Sequence, residues 1–200
     1  MKIFSFFLVC LLTIFLLSCE YSSPADDVVD TVSQIDTIFE TNETAESGKA
    51  VKNNDSSEFF ELIDDYLYYQ ETSLSLLTSL TDNYNLMWNT IYKYPESQDV
   101  TETFSFLYKS YNISSTIEQL NERLESLYEQ IIISDCSEDF MENMIKCHSS
   151  YMIFCRFVTE PNGSYTEFCD TYQELNTERL TYTDIIAEYL NSTNYQRKSR

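Results

Sequence analysis

The side chains able to do chemistry are few and unevenly placed. His148 is the only histidine in 200 residues, so any histidine-dependent triad must use it. It directly follows Cys147, and a Cys–His pair is the arrangement from which a thiolate nucleophile is built. Such a nucleophile needs a free thiol, which export to an oxidising compartment disfavours. On a helix, His148 therefore reads as a partly buried or surface residue. Carboxylates are abundant, 33 Asp plus Glu, but in so acidic a chain their pairing carries little information. A glycosidase would also need a cleft that a slim bundle seldom provides. No G-x-S-x-G, H-E-x-x-H, P-loop or G-x-G-x-x-G pattern occurs. Adjacent pairs such as Asp26-Asp27 and Asp64-Asp65 do not make a calcium loop. The expectation is a protein that is not an enzyme and carries no metal or cofactor.

Cysteine is the other reactive type. Two of the six lie in the N-terminal leader, and Cys136, Cys147, Cys155 and Cys169 cluster in the last third. Spacings of eleven, eight and fourteen positions lack the C-x₂-C pairs of zinc sites, even with His148 added. An even count in an exported domain reads as two disulfides, with three possible connectivities. Cys155 and Cys169 stand almost equally far from a Pro161-Asn162-Gly163 turn and could staple an antiparallel hairpin. Cys136 and Cys147 would then pair by default. Each bridge would add about 2–4 kcal/mol.

The compartment is read from residues 1–19. Lys2 precedes an uncharged apolar run from Ile3 to Leu17, closing on Ser18-Cys19. That is the three-part pattern of a secretory signal. Ordinary signal peptidase could cut beside Ser18 or Cys19. Leu16-Leu17-Ser18-Cys19 also resembles a bacterial lipoprotein signal, in which Cys19 is the lipidation candidate. An uncleaved anchor ranks last, because a membrane span needs about 20 apolar residues. The expected localisation is secreted or extracellular, with lipid anchoring to the cell surface as the alternative.

The remaining chain is one charge more negative than the −21 of the whole, because Lys2 leaves with the leader. Like-charge repulsion opposes docking on phosphates or anionic headgroups, so nucleic acid is excluded as a partner and membrane contact is confined to an N-terminal lipid or anchor.

These groups must be positioned by helices. Only 2 Gly and 3 Pro occur, too few turn residues for a sandwich or an α/β sheet. Residues 20–56 are acidic and Ser/Thr-rich, with almost no large apolar side chain from Thr41 to Ser56, which predicts a flexible stalk. Within it, Ser23-Pro24 opens a short amphipathic helix over about 24–40, carrying Val28, Val32, Ile35 and Phe39. The bundle domain is expected over 57–191. Ile63, Leu67, Gln70, Leu74, Leu77, Thr81, Tyr84, Trp88 and Ile91 form a seam of period close to 3.5, stopped by Pro95. Asp99 and Glu102 stand at capping-box spacing, and Val100, Phe104, Leu107, Tyr111, Ile117, Leu120, Leu124, Leu127 and Ile131 mark a second long helix to about Ser134. A third helix is predicted over about 138–159 and a fourth after Gly163, with a disordered basic tail at 192–200. The fold class is all-α: an up-down antiparallel bundle of two long coiled-coil-like helices and a shorter disulfide-stapled hairpin. The seam could also mediate a homodimer.

Five N-x-S/T sequons, at Asn42, Asn54, Asn112, Asn162 and Asn191, are glycosylation candidates if the source is a eukaryote. Tyr66, Tyr68, Tyr69, Tyr92, Tyr94, Tyr108 and Tyr111 gather near the first two long helices. Their simpler role is to cap the edges of the seam; a recognition patch is the alternative. The functional expectation is an exported, non-enzymatic protein acting by protein–protein recognition, its partner unidentified. The alternatives are an extracellular carrier of a small apolar ligand and a lipid-anchored surface protein of structural role.

Overall fold

A computed structural model describes residues 57–92, 98–110, 113–193 and 195–197. The leader, Cys19, the stalk, its short helix and the sequons at Asn42, Asn54 and Asn112 lie outside the described residues. The described chain is all-α. Its helices are α1 (Ser57–Leu86), continued by a π-helical turn over Met87–Tyr92, then α2 (Thr101–Ser110), α3 (Ile113–Ile132), α4 (Glu138–Thr159) and α5 (Tyr165–Ser192). No strand occurs among the described residues beyond an isolated bridge between Asp99 and Ser164.

α1 is the central element. It packs mainly on α3 and also touches α2, α4 and α5, while α4 and α5 pack on each other. The seam residues Ile63, Leu67, Gln70, Leu77, Thr81, Tyr84 and Trp88 are buried within the single chain. A second stripe, Phe59, Tyr66, Tyr69, Ser73, Leu76, Leu80 and Met87, is buried beside it. A helix covered from several sides needs a wider apolar arc than a two-stranded seam. That second stripe explains the tyrosines: Tyr66 and Tyr69 are core residues, and Tyr68 and Tyr108 are half-buried.

The second long helix is described in two parts, α2 up to Ser110 and α3 from Ile113, and its stripe Val100, Phe104, Leu107, Ile117, Leu120, Leu124, Leu127 and Ile131 is buried as the spacing requires. Asp99 Oδ1 accepts from the Thr101 amide at 2.7 Å, so it does cap the start of α2. α4 occupies the predicted residues. Ser137 caps it, its Oγ accepting from the Phe140 amide at 3.3 Å. α4 and α5, at 22 and 28 residues, are no shorter than the 20-residue α3.

The turn between α4 and α5 is tightly built. Gly163 has φ +85°, a left-handed conformation that side chains disfavour. A Cβ there would also stand 2.9 Å from Glu167 Oε2. That carboxylate belongs to a capping box: Ser164 Oγ accepts from the Glu167 amide, and Glu167 Oε2 accepts from the Ser164 amide at 2.8 Å. Val100 donates its amide to Gly163 O at 3.0 Å, tying the start of α2 to the same turn.

After α5, Tyr195 packs on Phe60, and Arg197 Nε donates to Asp64 Oδ1 at 2.7 Å. Asp64 is nearly fully buried, and a buried carboxylate requires a cation, which draws residues 195–197 back onto α1.

Candidate functional site

Cys147 and His148 sit side by side on α4 but face different neighbours, because successive helical residues point about 100° apart. Cys147 Sγ lies 3.7 Å from Gln70 Nε2 on α1 and 3.9 Å from Thr183 Oγ1 on α5. Thr183 in turn donates to Gln70 Oε1 at 3.1 Å. Burial raises the Cys147 thiol above its usual range, opposed by these hydrogen bonds. A catalytic thiolate needs the opposite shift.

His148 forms a chain with groups from α1 and α3. Its Nε2 lies 2.9 Å from Glu125 Oε2, and its Nδ1 lies 3.2 Å from the Tyr66 hydroxyl. The Tyr128 ring stacks on the imidazole, with centroids 4.0 Å apart. Donation from Nε2–H to Glu125 and acceptance at Nδ1 from Tyr66 suit a neutral ring. Burial depresses the His148 pKa, with Glu125 pulling partly the other way. The order hydroxyl, imidazole, carboxylate is that of a nucleophile, its base and an orienting group. The environment is not. Tyr66 is 0% exposed, and burial holds its hydroxyl well above its usual range, so it neither meets a substrate nor ionises readily.

One turn further on, the Tyr151 hydroxyl lies 2.6 Å from Ser73 Oγ and 2.7 Å from Asn121 Oδ1. Asn121 Nδ2 donates to Cys155 Sγ at 3.4 Å. α4 thus presents a ladder of buried polar groups to α1 and α3, each satisfied within the fold.

No disulfide joins Cys136, Cys147, Cys155 and Cys169 in this structure. Cys155 faces Asn121 on α3 rather than Cys169 on α5. Cys147 lies about 15 Å along α4 from its cap at Ser137, beside Cys136, whereas a bridge needs Cα atoms within about 7 Å. Among the described residues, no group of three or more His, Cys, Asp and Glu could hold a metal ion, and no helix is long and apolar enough to cross a membrane. Asn162 and Asn191 are exposed.

Among the described residues, two recesses lie between helices. The first, about 420 Å³, lies between α3 and α4 and is lined by Tyr108, Ile117, Asn121, Met152, Ile153 and Arg156, with Glu118 and Glu160 exposed at its edges. Burial pushes the Tyr108 hydroxyl up to about 12. The second, about 310 Å³, lies between α1 and α5. Its walls are Leu67, Gln70, Leu74, Leu180, Thr183 and Ala187, with Glu71, Arg179 and Arg197.

Arg179 was missed in the sequence. It is 7% exposed. Its Nε donates to Asn176 Oδ1 at 3.2 Å, as does Nη2, and its guanidinium lies over the Phe154 ring at 5.3 Å. The signal was there: Tyr172, Leu175, Arg179 and Ile186 recur at steps of three, four and seven, which puts Arg179 on the packed face.

No family model matches the sequence, and comparison with curated proteins and with solved structures finds no similar protein.

Proposed function

We propose that this chain is an exported, non-enzymatic helical protein, secreted or displayed at a surface, that acts by recognising another protein. In this reading the helices form an up-down antiparallel bundle, and residues 20–56 are the stalk that presents it. A lipid on Cys19 would hold it at the cell surface; simple cleavage would release it. The observation that carries the recognition reading is the recess between α3 and α4. Tyr108, Met152 and Arg156 are of the types enriched where proteins meet, and Ile153 is half exposed at its side. Glu118 and Glu160 add charges that would set the register of a partner. The non-enzymatic reading draws support from the placement of the reactive groups, since Tyr66, Cys147 and His148 are buried and only Glu125, at the end of the His148 chain, is exposed.

The recognition reading is tested by replacing Ile153 with a photo-crosslinking phenylalanine analogue in the full protein on its own cells, with exposed Glu178 on α5 as the control position. The expected result is one adduct of discrete mass from position 153, absent from position 178 and lost on Arg156→Glu. Equal adducts from both positions, or none from position 153, would overturn it.

A second reading, an extracellular carrier of a small apolar ligand, is favoured by the recess between α1 and α5, whose volume is at the lower end for small-molecule sites.

A further inference from the structure

Buried charges in proteins are ordinarily paired with an opposite charge or a metal. Arg179 is not. Among the described residues its hydrogen-bond acceptor is a neutral amide oxygen, Asn176 Oδ1, and its other partner is the face of Phe154. Scarcity of acid is not the reason, because the chain has 33 carboxylates. The nearby case of Arg197 makes the contrast. That arginine, more exposed, is ion-paired with the buried Asp64. The same recess therefore holds one neutralised cation and one that is not.

The surroundings of Arg179 suggest what would complete it. The recess places Arg179 beside a mostly aliphatic wall of Leu67, Leu74, Leu180 and Ala187, with Thr183 and Gln70 as neutral polar groups. Thr183 and Gln70 are already bonded to each other and to Cys147, so they cannot serve a highly charged headgroup. Glu71 in the lining would repel a dianion. Asn176 takes the Nε and Nη2 side of the guanidinium; the edge that carries Nη1 matches one carboxylate, and the apolar wall matches a short hydrocarbon tail. Desolvation, which lowers the Arg179 pKa, would be offset by such a pair.

We propose that the recess between α1 and α5 binds a small monocarboxylate amphiphile, its headgroup paired with Arg179 and its tail lying along Leu67, Leu74, Leu180 and Ala187. This inference rests on the carrier reading and names its ligand class.

The test is calorimetric titration of the mature full-length protein with decanoate and with 1-decanol, an uncharged chain of equal length. The expected result is saturable decanoate binding, about tenfold to a hundredfold tighter than decanol, as a charge-assisted hydrogen bond implies. Arg179→Gln should abolish that preference, and Ala187→Trp, which fills the tail space and leaves the arginine in place, should weaken both ligands. Equal binding of decanoate and decanol by the unaltered protein would overturn the headgroup assignment while leaving the carrier reading standing. Binding of neither would remove both. Unchanged decanoate binding by Ala187→Trp would place the ligand elsewhere and overturn the proposal.

Discussion

Cys147 and His148 lie together in the chain and both meet Tyr66, but Cys147 is otherwise turned to Gln70 and Thr183 and His148 to Glu125. Their chemistry is decided by that placement. Both are enclosed, and burial moves each toward its neutral form. Neutral, buried thiols are also poor nucleophiles, so export to an oxidising compartment does not require all four cysteines to be bridged. The expected outcome under native conditions is alkylation of the half-buried Cys136 and Cys169, with the buried Cys147 and Cys155 protected until the protein is unfolded. Peptide mapping after iodoacetamide treatment checks this. Equal labelling of all four would contradict the packing, and resistance of all four to alkylation even after unfolding would restore the two disulfides. Sequence reasoning could place the Cys–His pair on a helix. It could not foresee that Glu125, 23 residues earlier on α3, reaches the same imidazole, because that contact depends on how two helices pack.

At the scale of elements, local chemistry was most readable where it is self-contained. α4 lies where its apolar spacing placed it, and the Pro161-Asn162-Gly163 signal marks the turn before α5. The capping box of Ser164 and Glu167, which the sequence reading did not single out, holds the start of α5. Ser164→Ala should cost about 1 kcal/mol and lower the melting temperature by about 2–4 °C for a domain of this size. Thermal denaturation followed by circular dichroism measures it. An unchanged melting temperature would mean that the box does not hold the start of α5. The second buried stripe on α1 was not readable in the spacing. A seam of period 3.5 describes contact with one neighbour, whereas α1 meets four helices.

For the whole molecule, the balance of few breakers, many aromatics and strong acidity leads to an all-α chain whose central helix is wrapped by the others. The two recesses described between helices are those on which the proposed readings rest. Neither recess could be located from the sequence, since each is assembled from helices distant along the chain. Both functional readings assume that the domain works outside the compartment in which it is made. Export is the premise of both, and it comes from the N-terminal leader. It is tested by the intact mass of the protein recovered from the medium or envelope of the cells that produce it. The expected chain has lost the leader, beginning after Ser18 or Cys19, or beginning at a Cys19 that carries a lipid. A chain that keeps Met1 and stays in the cytosol would contradict it.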